Sequence, residues 1–508
     1  MVTDDHDGFQ GRKMSTAHIC SRATAGLSAP EVIVEVHLSN GLPCFTIVGL
    51  PESTVREARE RVRSALLTSH YDWPDHRITV NLAPAELPKA GGRFDLPIAL
   101  GILVASQQLD ARATENREFY GELGLNGGLR ATKGILPAVS LATKAGRVCG
   151  IPECQRSAMA HVPNCRVISA PDLLTLCARL KQENPAHPIQ QHRERTSEVE
   201  TDVADIAGQA LAKRALEISA VGAHHLLMSG PPGAGKTLLA SALPGLLPAM
   251  TAAETFELAM IRDMAGLDSD SRRPFRAPHH ATSGAALVGG GSLALPGEVS
   301  LATHGVLFLD ELPEFSARTL DLLRQPLEQG RITINRAKTT NTYPAQFQLV
   351  SAMNPCPCGY AGSLDRRCRC SNEAVTRYQA RVSGPLLDRI DLHIQLERQS
   401  SAQLFDADKD AESSKTIRLR VTGARAHQLR RQQVLNAQLE GKALLRHCAM
   451  DNSVQRWFES ASDRLNLSAR GVHRSLRIAR TLADMEEQEC VEEPHLMEAL
   501  SYRPRVAS

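Results

Sequence analysis

The sequence predicts an α/β fold: a P-loop-type parallel sheet covered by helices, with a helical lid behind it and a smaller α+β domain in front. Three observations carry this. The Gly-rich stretch GPPGAGKT (230–237) lies between the apolar run HHLLMSG (224–230) and the helix-patterned LLASALPGLL (238–247). A second apolar run, GVLFLDELPEF (305–315), ends on adjacent acids. From 205 to about 398 such runs alternate with helical patterns, the layout of a parallel sheet.

The chain has 508 residues, enough for about three domains. Its net charge of +2 gives no global basic excess, so any surface for nucleic acid must be local. Aromatics at 4% argue against base stacking as the main binding device. No run of roughly eighteen apolar residues is present, which predicts no membrane span. The start lacks a basic segment followed by an apolar one, so no secretory leader is expected and the protein reads as cytoplasmic. Eight of the twelve cysteines are scattered and read as reduced thiols.

Along the chain, residues 1–13 are polar and patternless, a disordered tail or an upstream start. Residues 14–180 read as the α+β domain. VIVEVHL (32–38) and CFTIVGL (44–50) flank the turn Ser39-Asn40-Gly41, which predicts a hairpin. STVREARERVRSALL (53–67) is amphipathic, with Ser53 as its N-cap. RITVNLAP (77–84) reads as a strand and FDLPIALGILVAS (94–106) as a buried helix; short strands and helices alternate over 119–180. Residues 181–204 are polar and aperiodic, a linker. Residues 205–398 read as the parallel-sheet core, and 399–508 as the helical lid, whose clearest helix spans 469–485.

The loop residues Gly230, Pro231, Pro232, Gly233, Ala234 and Gly235 can wrap phosphates with backbone N–H groups, aided by the positive end of the following helix. Lys236 is placed for the β- and γ-phosphates of ATP, Thr237 for Mg²⁺, and Leu238 closes the ATP-contacting stretch. Asp310 ends its strand as a second Mg²⁺ ligand, and Glu311 is placed to polarise a water. FQLVSAMNPCPCG (347–359) ends a third strand on Asn354, whose amide can orient water or γ-phosphate; a turn-forming Asn-Pro explains it equally. Arg389, in GPLLDRIDLHI (384–394), suits transition-state charge on a neighbouring subunit's nucleotide, or an ion pair with Asp388 or Asp391.

This order of motifs resembles AAA+ ATPases. RPFRAPHHATSGAALVGGG (273–291), PGEVSLATHGVLFLDELPEF (296–315) and AMNPCPCG (352–359) narrow the resemblance to the magnesium-chelatase-like branch and, within it, to the ComM/YifB family. The resemblance implies a homo-oligomeric ring, a hexamer, and a lid arginine that contacts ATP. Arg470 fits that role best and Arg474 is the runner-up. It also implies two pore-facing loops. The first, an insertion in a core helix, would match FRAPHHATSGAAL (275–287), whose His279 and His280 lack the further ligands a metal needs. The second is the hairpin RITINRAKTTNTYPAQF (331–347), with Arg336 and Lys338 at its tip. Basic tips suit a DNA phosphate backbone; an ordinary solvated hairpin is the alternative.

CPCGYAGSLDRRCRC (356–370) places Cys356, Cys358, Cys368 and Cys370 as two C-x-C pairs. Four thiolates can close a tetrahedral zinc site; free thiols or a redox pair is the alternative. Arg366, Arg367 and Arg369 add local charge.

In the front domain, LAPAELPKAGGRFDLPIALGIL (82–103) and GELGLNGGLRATKGILPAVSLATKAGR (121–147) resemble the proteolytic domain of Lon, a ribosomal S5 domain 2-like fold. That family uses a Ser–Lys dyad. Here GGRFDLP has no serine, and Arg130 takes the lysine-like place beside Lys133, so proteolysis is not expected. The ComM/YifB resemblance implies an ATP-driven motor on single-stranded and branched DNA, active in branch migration during recombination of incoming DNA. The alternatives are a magnesium-chelatase motor subunit, a Lon-type protease and an ATP-gated scaffold.

Overall fold

The computed structural model describes residues 15–49, 52, 55, 57–182, 186–188, 201–291, 293–336, 340–362, 367–399 and 411–504. The tail 1–13, Ser53, Lys338 and Arg366 lie outside them. The chain divides into two compact units. The first contains Met1–Arg195, Thr255–Asp270 and Asn335–Asn341; the second contains Thr196–Glu254, Ser271–Ile334 and Thr342–Ser508.

The first unit is built on eight strands: β1 (Ser15–Arg22), β2 (Glu31–Ser39), β3 (Cys44–Val48), β4 (Arg77–Ala83), β5 (Arg117–Phe119), β6 (Val148–Pro152), β7 (Arg166–Ala170) and β8 (His187–Pro188). Their order is β8-β7-β6-β5-β1-β2-β4-β3. The hairpin expected between 32–38 and 44–50 does not form. β4 lies between its two strands, antiparallel to β2 and parallel to β3. The helix α1 (Ala58–Thr68) carries the chain from β3 back to β4. Parallel neighbours need such a crossover, so the Asn-Gly turn only redirects the chain. The helix α2 (Asp95–Ala105) packs on β1 and β2 and, Val104 apart, is buried throughout, as its unbroken apolar run predicts. The helices α3 (Ile135–Lys144) and α4 (Leu173–Leu180) complete the layer.

The segment Thr255–Asp270 joins this unit through most of the helix Ala252–Ala265. Ala259 is buried with Ile135, Leu136 and Val139 of α3, and Phe256 and Met260 pack against the same cluster. Asp263 accepts the Leu136 backbone N–H at 2.8 Å, capping α3 from outside its own sequence. Burial pushes the Asp263 carboxyl up to about 6, against the pull of that N–H and of Arg93.

The second unit holds a five-stranded parallel sheet: β9 (Leu226–Ser229), β10 (Phe275–Arg276), β11 (Val306–Leu309), β12 (Gln348–Met353) and β13 (Leu392–Gln395), in the order β10-β11-β12-β9-β13. Helices α5 (Ala210–Gly222) and α6 (Lys236–Leu246) flank it. FRAPHHATSGAAL is not an insertion within a helix. Phe275 and Arg276 form the edge strand β10, parallel to β11, and 277–283 is the loop that leaves it. A small hairpin, Gly289–Gly290 with Leu295–Pro296, stands between α7 (Gly284–Val288) and α8 (Glu298–Leu301). The period-2 burial of strands Arg331–Asn335 and Thr340–Pro344 bears out the second expected hairpin.

Between β12 and β13 lie α9 (Asn372–Gln379) and α10 (Gly384–Leu387), and after β13 come the lid helices α11 (Ser414–Gln432), α12 (Gly441–His447), α13 (Asn452–Arg464), α14 (Ala469–Met485) and α15 (Glu493–Ser501). The observed α14 spans the same residues as its periodicity predicts. A buried polar latch ties it to the sheet. His224 Nδ1 is 2.8 Å from Asp391 Oδ2, His224 Nε2 is 2.7 Å from Thr481 Oγ1, and Arg477 donates to Asp391 Oδ1 at 2.9 Å. Burial alone would raise the Asp391 carboxyl, but Arg477 and His224 hold it well below the usual carboxylate range.

Candidate functional site

β9 is buried and delivers the chain into the Gly-rich loop at its C-terminal end, where open parallel sheets bind ligands. Gly233 and Gly235 have φ of 79° and 83°, which favour glycine; a Cβ on either would meet nothing within 4 Å, so the loop borders open space. Gly230 donates to the Met353 carbonyl at 3.2 Å, tying the loop to the end of β12. Lys236 opens α6, and its Nζ donates to the carbonyls of Gly230 (2.6 Å) and Pro231 (3.1 Å) and to Asn354 Oδ1 (3.0 Å). Three acceptors thus match the three ammonium protons. Half-burial lowers the Lys236 ammonium, while Asp310 and Glu311 pull it back up. Ala234 is buried, whereas Pro232, Gly233, Thr237 and Leu238 are exposed.

Thr237 Oγ1 donates to Asp310 Oδ2 at 3.1 Å. Two hard oxygens from separate elements therefore converge, as Mg²⁺ requires. Glu311 follows with φ of 50°, in the left-handed region, and its side chain is about half exposed. Non-glycine residues held there are concentrated at functional sites. Its carboxylate faces His280 Nδ1 at 3.3 Å, and the His280 ring stands edge-on to Phe315 and beside His279. No local motif signals this His280 contact; the cue is that its loop leaves β10, the strand paired with β11.

Arg389 and Arg470 lie elsewhere in the second unit. Arg389 pairs with Glu328 and the Pro385 carbonyl rather than with either neighbouring aspartate, and its Nε is buried without a partner. Arg470 donates to Asp388 at 3.2 Å. Both arginines line one cleft of about 820 Å³ with Glu328, Asp388 and Arg477; Lys236, Asp310, Glu311 and Asn354 do not line it. Arg474 is instead buried and donates to the Ile390 carbonyl at 3.1 Å, a structural role.

The four clustered cysteines are brought together: their sulfurs all lie within 4.8 Å of one another. Cys356 Sγ is 3.3 Å from Cys358 Sγ and 3.7 Å from Cys368 Sγ, and Cys358 to Cys368 is 3.6 Å. A tetrahedral zinc with Zn–S of about 2.3 Å sets sulfurs roughly 3.8 Å apart, so the donor set fits that ion. Among the described residues no group of three metal-binding side chains includes His279 or His280. Arg336 is exposed on its hairpin.

In the first unit the GGRFDLP stretch is occupied by structural charges. The Arg93 guanidinium donates to the backbone oxygens of Arg22, Lys133 and Gly134. Asp95 takes a two-pronged contact from Arg61 at 2.7 and 3.0 Å. Arg130 stands 3.7 Å from Glu122. Among the described residues, no helix is long and apolar enough to cross a membrane.

Three family models match the chain: magnesium chelatase, subunit ChlI, over 202–404; subunit ChlI of Mg-chelatase over 34–153; and the ChlI C-terminal model over 411–503. The chain is 47% identical over 504 residues to the competence protein ComM of Haemophilus influenzae, covering 97% of this chain and 98% of the relative. It is 45% identical over 496 residues to YifB of Salmonella typhimurium, covering 96% and 97%. For YifB of Escherichia coli the identity is 44% over 495 residues, again covering 96% and 97%. With these matches running nearly end to end, the chain belongs to the ComM/YifB family of magnesium-chelatase-like AAA+ proteins.

Proposed function

We propose that this protein is an ATP-hydrolysing ring motor acting on DNA, a hexamer of the cytoplasm that drives branch migration during recombination of incoming DNA. The observation that carries the reading is the separation within one chain. Lys236, Thr237, Asp310, Glu311 and Asn354 gather at one site, while Arg389 and Arg470 share a different cleft. A second copy can bring the arginine-lined cleft to the first copy's phosphates, which makes the site complete only in an oligomer.

In that arrangement the ammonium of Lys236 leaves the Gly230 and Pro231 carbonyls for the β- and γ-phosphates. Thr237 and Asp310 hold Mg²⁺, which neutralises phosphate charge when bound. Glu311 accepts the proton of the attacking water, and Asn354 orients that water or the γ-phosphate. Arg389, released from Glu328, and Arg470, released from Asp388, neutralise charge developing on the neighbour's γ-phosphate. Arg336, with Lys338 beside it in sequence, supplies phosphate-backbone contacts of little sequence preference. The name of the Haemophilus relative, a competence protein, supports incoming DNA as the substrate. Zinc in the four-cysteine cluster serves as structural metal.

The test is ATP turnover with and without single-stranded and branched DNA. Turnover stimulated by DNA, and lost in Lys236→Ala and Arg389→Ala, supports the motor. Turnover indifferent to every DNA form overturns it. The descriptions of the three matched family models favour a second reading, a magnesium-chelatase-type motor subunit. That reading predicts Mg²⁺ insertion into a porphyrin when partner subunits are supplied.

A further inference from the structure

We propose that the four-cysteine centre is the clasp of the nucleotide site: zinc bound there fixes Pro232 and Asn354 in the positions that receive ATP. This rests on the reading that ATP binds at Lys236. The cysteine cluster begins two residues from Asn354 along the chain, through Pro355, and Asn354 Oδ1 accepts from Lys236 Nζ at 3.0 Å. The other contact is through space. Gly359 turns between the two halves of the cluster with φ of 86°, donating to the Cys356 carbonyl at 2.9 Å. A Cβ on Gly359 would lie 2.6 Å from Pro232 Cδ, 3.0 Å from Pro232 Cγ and 3.9 Å from Asn354 Cγ. The turn therefore lies directly against the otherwise exposed Pro232 of the phosphate loop, with no spare room.

The far side of the cluster is tied back to the same place. After Cys370 the chain enters α9, and Gln379 Nε2 donates to the Pro355 carbonyl at 3.0 Å. Asn354-Pro355 is thus held between the cluster and the helix that follows it. The sulfurs are themselves dressed for a metal, since Ala361 N–H donates to Cys356 Sγ at 3.3 Å and Cys370 N–H to Cys368 Sγ at 3.4 Å. Four thiolates this close repel one another without a cation. Zinc sets their spacing, the spacing sets the Gly359 turn, and the turn backs Pro232.

The full chain purified in reductant is expected to hold one zinc, read by elemental analysis. Chelator-stripped chain should bind a fluorescent ADP analogue at least about tenfold more weakly, with recovery on adding zinc chloride. Gly359→Ala keeps all four thiolates and should lose affinity by about as much, and adding Pro232→Ala should regain most of the loss beyond that of Pro232→Ala alone. Stripped chain that binds as tightly as before overturns the proposal. So does Gly359→Ala at unchanged affinity, whether or not it retains zinc, and so does a loss that Pro232→Ala fails to relieve. Should stripping precipitate the chain, the Gly359→Ala pair decides. No DNA enters these measurements, so failure of the DNA-motor reading leaves them standing. Conversely, unchanged affinity in the stripped chain and in Gly359→Ala overturns the clasp and leaves the DNA-motor reading standing, since that reading is tested by turnover with and without DNA.

Discussion

His280 Nδ1 faces Glu311 Oε2 at 3.3 Å, joining the loop after β10 to the carboxylate proposed to handle the attacking water. Both side chains are partly exposed, so the contact contributes little to stability. Its consequence is positional: the direction of the Glu311 carboxylate depends on where the 277–283 loop sits. His280→Ala should leave nucleotide affinity unchanged and bring the ratio of DNA-stimulated to basal turnover down toward one. Phosphate release with and without DNA measures it; an undiminished ratio separates the loop from the water site.

The Arg389–Glu328 pair is expected to hold the arginine in reserve. Glu328 is mostly exposed, so the pair is worth no more than about 1 kcal/mol. Glu328→Gln should therefore raise DNA-stimulated turnover by up to about fivefold, because a neighbour's phosphate no longer competes with a carboxylate. Arg389→Ala should lower it by about a thousandfold or more. Steady-state kinetics at saturating ATP separates the two.

Asp391 is the charge at the centre of the lid latch. Asp391→Asn breaks a buried pair and should cost about 3–5 kcal/mol in the second unit. Trp457, packed against that unit's core, reports the loss as a lower urea midpoint in a Trp73→Phe background. The sign with pH follows from the depressed carboxyl: its stabilisation is present above the unfolded value of about 4 and is lost as pH falls toward the lower folded value.

Asp263 behaves oppositely. Its folded value, about 6, lies above the unfolded value of about 4, so its contribution is largest below pH 4 and is lost as pH rises through 6. Asp263→Asn keeps an acceptor for the Leu136 N–H and removes the charge. It should flatten that slope and be at least as stable as the parent at pH 8. Asp263→Ala should cost about 1–2 kcal/mol at either pH. Urea unfolding at pH 5 and pH 8 distinguishes them.

What was legible in the sequence was local. Gly233, Gly235 and Lys236 announce themselves because the backbone and charge needed around phosphate are supplied by consecutive residues. The α14 boundaries follow from its apolar period and the Ser468 cap, which accepts from Gly471 N–H. The misplaced hairpin shows the opposite case. A turn signal after β2 says that the chain reverses, but β4, which begins only at Arg77, decides which strand lies beside it. The insertion was misplaced for a similar reason, since Phe275 and Arg276 look like loop until β11 supplies a partner. His280 with Glu311, and Gly359 with Pro232, are meetings of distant residues for which neither partner carries a local signature.

The capping of α3 by Asp263 bears on how the protein can be dissected. Most of the helix Ala252–Ala265 belongs to the first unit, so residues 1–204 alone are an unfinished fold. Such a fragment would leave the face around Leu136 and Val139 wet and the Leu136 N–H without its carboxylate, inviting aggregation. Cutting the chain between Arg195 and Thr255 would separate Met1–Arg195 from Thr255–Asp270, which belongs to the same unit.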